Sequence, residues 1–244
     1  MPFSIVIPAL NEERYLPLLL ESIAATGIEG AQIIVVDGKS DDRTQELVRA
    51  FADKYQNTLR VELHEADKRN VGHQRNLGGS KAIHDTLVFL DSDTLVPNRE
   101  TILNLIKNFN EEKCAAASCR FEPIKRHPLA ISYYWILYRF QRFQQNRNPY
   151  AMGACILTRK DVFDRINGFD ETIRVNEDAE YCQRAAKHGP FRILPHAIRV
   201  STRRFDKEGY FKMGTKYVRL FVDRSLRGEL RDDRIEYKFG HYDS

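Results

Sequence analysis

Thr86-Leu87-Val88-Phe89-Leu90-Asp91-Ser92-Asp93 is the stretch that decides the fold. Its short apolar run reads as a strand buried on both faces, the habit of a parallel sheet. Two carboxylates spaced i, i+2 close the run. A buried carboxylate is costly unless it is paired or bound to a cation. A divalent ion holding a diphosphate is one such partner, because hard cations take carboxylate and phosphate oxygens together. Taken alone, Asp-Ser-Asp also reads as a solvated turn. Its neighbours along the chain decide against that.

Working back toward the N-terminus, the same pattern recurs. Phe3 to Pro8 reads as a first strand and is followed by Asn11-Glu12. The spacing of Leu16, Leu19, Leu20 and Ile23 predicts a helix over 14–25. Gln32 to Val36 reads as a second strand, ending in Asp37-Gly38-Lys39-Ser40. Asp41 or Asp42 can cap the next helix, which carries Leu47, Val48 and Phe51 on one face. Leu59 to Leu63 alternates, as a more peripheral strand does, and a helix is predicted near Val71 to Ile83. Strand–helix alternation at this spacing predicts an α/β fold with a Rossmann-like, mostly parallel sheet flanked by helices on both faces. In such sheets ligands bind beyond the carboxyl ends of the strands. All three polar clusters fall on that side.

After Pro97 the pattern changes. Ala115 to Phe121 reads as a strand and Pro128 to Asn146 as an aromatic-rich helix. Ala151 to Thr158 reads as a small-residue turn entering a strand, and Asp178 to Lys187 as a helix opened by Asn176-Glu177. No linker composition separates the halves. The expectation is a single domain, with a nucleotide side over 1–97, an acceptor side over 98–200 and a basic helical extension over 201–244.

Composition sets the outer bounds. The chain has 244 residues, 42% hydrophobic and 30% charged, with a net charge of only +4, so nothing points to a nucleic-acid partner. Cys114, Cys119, Cys155 and Cys182 lack metal-ligand spacing and read as reduced core thiols. No leader pattern and no long apolar run is visible, and a cytoplasmic protein is expected. The aromatic helix over 128–146 has two readings. It either packs against the sheet or a second copy of the chain, or lies on a bilayer with Trp and Tyr at headgroup level. Arg203, Arg204, Lys207, Lys212, Lys216, Arg219, Arg224 and Arg227 would add attraction to an anionic inner leaflet, where a lipid-linked or cell-envelope acceptor would be met.

Each motif has a structural and a chemical reading. Ser40 and Asp41 can be helix caps. Asp37, at a strand end, can accept from a nucleotide base or ribose. Arg75, in His73-Gln74-Arg75-Asn76-Leu77-Gly78, is either a surface arginine or a phosphate contact. Glu177-Asp178 is either a capping pair that complements a helix dipole or holds a general base.

As an ordered set, these motifs resemble inverting family 2 glycosyltransferases of the GT-A fold. The motifs are strand-Pro-x-x-Asn-Glu, Val-Val-Asp-Gly-x-Ser-x-Asp, Arg-Asn-x-Gly, Leu-Asp-Ser-Asp and Glu-Asp, and the likeness spans roughly residues 3–200. The resemblance implies a UDP- or GDP-sugar donor, a hydroxyl acceptor and Mg²⁺ or Mn²⁺. Pro8, Asn11, Glu12, Asp37 and Ser40 would surround the nucleotide, and Arg75 would approach the diphosphate. Asp91 and Ser92 would lie near the ribose and donor sugar. Asp93 would hold the metal with Asp91 beside it. Gly153 and Ala154 would line the sugar and acceptor pocket. Asp178 would be the base, with Glu177 next to it. A further C-terminal ligand to metal or phosphate would be His196, Arg203 or Arg204. The sequence lacks the Q-x-x-R-W motif and the membrane helices of processive polysaccharide synthases. Two other readings remain: a nucleotidyltransferase, disfavoured by the lack of a glycine-rich basic loop after the first strand, and a non-catalytic nucleotide-sugar binder.

Overall fold

In the computed structural model, which describes residues 2–210 with Lys212, Met213, Thr215, Lys216, Arg219 and Glu229, the apolar runs become strands of one sheet. The first half alternates β1 (Ser4–Ala9), α1 (Leu16–Ala25), β2 (Gln32–Asp37), α2 (Thr44–Lys54), β3 (Arg60–Glu65), α3 (Val71–Lys81) and β4 (Thr86–Leu90). Strands β1, β2 and β4 are buried along their whole length, whereas β3 is only partly covered at the sheet edge. These four pair in parallel in the order β3-β2-β1-β4.

The second half adds β5 (Thr94–Leu95), α4 (Arg99–Glu111), β6 (Ala116–Pro123), α5 (Pro128–Gln144), β7 (Cys155–Arg159), α6 (Lys160–Arg165), α7 (Glu177–Ala185), β8 (Phe191–Val200) and α8 (Arg203–Glu208). It extends the sheet to β3-β2-β1-β4-β7-β6-β8-β5. β7 inserts antiparallel between β4 and β6, β8 is parallel to β6, and β5 is antiparallel to β8. Six of the eight strands therefore share one direction, and only β5 and β7 oppose it. The mostly parallel sheet and the single domain expected from the sequence are both present.

Alternate residues of the central strands feed two cores. Ile5, Ile7, Ile33, Val35 and Val88 meet Leu19, Leu20, Val48, Phe51 and Phe109 from α1, α2 and α4. Val6, Ile34, Val36 and Phe89 meet Phe163, Phe169 and Tyr181 on the other face. α3 reaches that second face without an apolar stripe. A Cβ on Gly78 would stand 2.3 Å from Val6 Cγ1, so the missing side chain is what lets this helix lie on the sheet.

All four cysteines are buried free thiols. No described helix is long and apolar enough to cross a membrane. In the 201–244 extension the structure describes α8, and Tyr210, Lys212, Met213, Thr215, Lys216 and Arg219 beyond it are helical as well. Arg224 and Arg227 lie outside the described residues.

Candidate active site

Because β1, β2, β4, β6 and β8 point the same way, their carboxyl ends share one edge. β7 runs against them, so its amino end, Gly153-Ala154, arrives at that same edge; Asp91 N donates to Ala154 O at 3.2 Å. Ser201, just past β8, donates its N–H to Asp93 O at 3.0 Å. A cleft of about 600 Å³ opens there, within the usual range for a small-molecule site. Pro8, Glu12, Arg75, Asp91, Ser92, Asp93, Gly153, Ala154, Glu177, Asp178, Arg203 and Arg204 all line it.

Asn11, Asp37 and Ser40 stand behind the lining and brace it. Asn11 takes a left-handed conformation at φ 56°, which its short polar side chain tolerates. Its backbone N–H donates to Ser40 Oγ at 2.9 Å, and its side-chain oxygen accepts from Asp41 N at 2.8 Å. Asp37 is fully buried and accepts from Ser40 N at 2.9 Å and Gln45 Nε2 at 2.7 Å. Ser40 thus ties the β1 and β2 turns together and does not itself line the cleft.

Two arginines, Arg75 buried and Arg203 half-buried, organise the acids. Arg75, 2% exposed, donates to Glu177 Oε1 at 2.6 Å and to Asp91 Oδ1 at 2.9 Å. Burial works against its charge, but Asp91 and Glu177 more than offset that and raise its pKa. Arg75 lines the cleft where the sequence reading expected it, and its guanidinium joins two carboxylates that line it too. Arg203 makes the second link. It donates to both oxygens of Glu12, at 2.9 and 2.6 Å, and its Nε lies 3.1 Å from Asp93 Oδ2. Its guanidinium also stacks 4.6 Å from the Tyr15 ring centroid. Burial pushes Glu12 up to about 7, with Arg203 pulling the other way, and burial likewise raises Asp93.

α7 opens at Asn176, held at φ 69° with no side-chain cap, and Asn176, Glu177 and Asp178 all line the cleft. Among the described residues Asp178 accepts only from the adjacent Ala179 N, at 2.7 Å. Burial and the neighbouring Glu177 push it up to about 7, while Arg75 opposes the shift. Gly153 faces this pair closely. A Cβ there would be 2.6 Å from Arg75 Nη2 and 3.1 Å from Asp178 Oδ2.

His196 is not brought to the site. The β6–β8 register slips beside it, and its Nε2 lies 3.2 Å from Asn108 Nδ2 on α4, away from the lining residues. Lining residues to which the sequence reading gave no role in the site include Met152 and the aromatic Tyr133, Tyr134, Tyr150 and Phe205. Gln74 is another. It donates to Ala9 O and Val36 O, capping the carbonyls at two strand ends. Only the aromatic density of 133–150 carried any signal for these.

Residues 4–166 match the model of Glycosyl transferase family 2. Over 187 residues the chain is 35% identical to the minor teichoic acid biosynthesis protein GgaB of Bacillus subtilis, covering 73% of this chain and 20% of that protein. Over 216 residues it is 26% identical to the pre-mycofactocin glycosyltransferase of Mycobacterium tuberculosis, covering 82% and 43%. The chain therefore spans less than half the length of these relatives. Its fold is similar to that of S. aureus TarS 1-349 in complex with UDP-GlcNAc, with a TM-score of 0.67 at 20% identity, covering 83% of this chain and 59% of that one. It is also similar to the mannosyltransferase PcManGT from Pyrobaculum calidifontis in complex with GDP-Man and Mn²⁺, with a TM-score of 0.67 at 20% identity, covering 89% and 64%. The family match runs from β1 through α6 and takes in the strand ends that carry Glu12, Asp37, Asp91 and Asp93, and on that match the chain belongs to glycosyl transferase family 2.

Proposed function

We propose that the chain is a metal-dependent inverting glycosyltransferase that moves a sugar from a UDP- or GDP-sugar to a hydroxyl acceptor. One observation carries this reading. Asp178 and the Asp91–Asp93 pair face a single cleft, and Arg75 links the two sides. A base for an incoming hydroxyl and a seat for a charged leaving group are thereby held together. The donor is supported by the neighbours in complex with UDP-GlcNAc and with GDP-Man.

Asp93, with Asp91, is the fit for Mg²⁺ or Mn²⁺. Both are hard oxygen donors, and Asp93 already has a cation beside it in Arg203. Among the described residues no group of three ligating side chains gathers. That suits an ion that keeps waters and is completed by substrate phosphates. When bound, the ion would neutralise charge developing on the diphosphate.

The protein's own groups do the rest. Asp178 takes the proton of the acceptor hydroxyl as that oxygen bonds to the anomeric carbon. The bond from that carbon to the diphosphate oxygen breaks in the same displacement, and its electron pair leaves with the nucleotide. A single displacement from the opposite face inverts the anomeric centre. The rings of Tyr133 and Tyr150 supply flat surfaces on which an acceptor can stack.

A screen of nucleotide sugars with Mn²⁺, read as release of nucleoside diphosphate, tests the proposal. Release of diphosphate that is lost on Asp93→Asn supports it. Release of pyrophosphate would point to nucleotidyl transfer, and no turnover with any donor to a binding module.

A further inference from the structure

The outer face of α5 takes no part in the proposed sugar transfer. α5 turns one side inward, where Ala130, Tyr134 and Gln141 are buried. Its outer side exposes Leu129, Ile131, Trp135, Ile136, Phe140 and Phe143, with Trp135 at 62% and Phe143 at 76%. At 100° per residue these fall on one half of the helix surface. A monomeric soluble protein rarely leaves so continuous an apolar strip uncovered.

The charge around the strip says what covers it. From Ile124 to Arg147 the chain carries Lys125, Arg126, Arg139, Arg142 and Arg147 and no Asp or Glu, although the whole protein has 34 acids. Lys125 is taken by Asp206 at 2.9 Å, and Arg142 donates to Ile193 O at 3.1 Å. Arg126, Arg139 and Arg147 are exposed along the strip. A second copy of the chain seated here through a twofold axis would set this basic face against itself. An anionic bilayer satisfies both halves of the pattern. Acyl chains take the apolar residues, lipid phosphates take the arginines, and Trp sits well at headgroup level.

We propose that the outer face of α5 docks the protein on an anionic lipid bilayer, with the helix lying along the interface. Tyr133 and Tyr134 of the same helix line the cleft, so docking brings the rim of the cleft to the lipid surface. The proposal stands independently of the transferase reading.

Trp135 is the protein's single tryptophan, which gives a direct readout on the full chain. Its emission is expected to shift to the blue and to be quenched by brominated lipid when vesicles of phosphatidylcholine and phosphatidylglycerol are added. Binding to these should exceed binding to phosphatidylcholine alone by about tenfold or more and should weaken with salt. Phe143→Glu, and separately Arg139→Glu with Arg147→Glu, should each cost about tenfold in vesicle affinity with the melting temperature unchanged, since these side chains are exposed. Unchanged Trp135 emission or equal binding to both vesicle types would overturn the proposal. So would a blue shift that arises without lipid and tracks dimer formation in sedimentation.

Discussion

Arg203 stands beside Asp93 with 3.1 Å between Nε and Oδ2, while its other two nitrogens hold Glu12. One guanidinium from the first residue of α8 therefore compensates two acids that follow β1 and β4. Neither acid comes near Arg203 in sequence. The contact exists because the strands deliver their carboxyl ends to one edge.

Replacing this arginine should expose the acids' need for a cation. Arg203→Gln leaves Glu12 and Asp93 without their guanidinium, and breaking a largely buried pair costs about 3–5 kcal/mol. The melting temperature of the donor-free protein should fall. Mn²⁺ should restore more stability to the variant than it adds to the wild type, because Asp93 then lacks a competing partner. Melts with and without Mn²⁺ check this. An equal metal effect on both proteins would mean that Asp93 does not hold the ion.

Asp178→Asn should lower kcat by at least ~10²-fold, the usual scale for loss of a general base, with donor affinity nearly unchanged. With Asp178 at about 7, the base is protonated in acid, so the rate should rise with pH through a limb centred near that value. The same shift has a stability consequence. A carboxyl whose pKa is raised by folding binds its proton more tightly in the native state. Donor-free wild type should therefore lose stability as pH rises from about 4 to about 7, and the Asn variant should lose less. Rate profiles and melts across that window check both.

Much of the donor side was legible because burial and charge conflict there in plain view. Asp91 and Asp93 end an apolar run, and Asp37 ends another, so their place at the sheet edge follows from the pattern. What the sequence hid depends on strand direction and register. The reversal of β7, which puts Gly153-Ala154 next to Asp91, is not written in any local pattern. The two carboxylate partners of Arg75 were not legible because they lie 16 and 102 residues away. His196 looked like a metal ligand until the register slip beside it placed its ring against Asn108. β8 itself went unread, because Pro195 and alternating charge break its apolar run.

Gly153→Ala should damage the site from a position that contributes no side chain. The added methyl would press on Arg75 Nη2 and Asp178 Oδ2. Overpacking of this kind costs about 1–3 kcal/mol, and a displacement of the base on the order of 1 Å can cost ~10²-fold in rate. A kcat loss much larger than the loss in donor affinity is the expected result. Unaltered kinetics would show that the Arg75–Asp178 spacing is not critical.

Glu171 offers a pH test of opposite sign. It sits before α7 and takes Lys68 at 2.5 Å, His73 Nδ1 at 3.1 Å and Asn76 Nδ2 at 3.0 Å, tying the α7 approach to α3. Burial favours its neutral form, but the bonds to Lys68, Asn76 and His73 win and hold it down at about 2. A carboxylate depressed by folding adds stability that is complete above its unfolded value near 4.5 and is lost as pH falls toward 2. Glu171→Gln removes the ionising group but keeps an oxygen acceptor for Asn76. The variant should melt earlier than wild type at pH 7, and the gap should close as the pH drops through that window. In the proposed mechanism Asp178 must be ionised to work, and Glu171 steadies the segment leading to it, so the variant should also show a reduced kcat at neutral pH. A pH-independent stability difference would instead mean that Glu171 acts through packing alone.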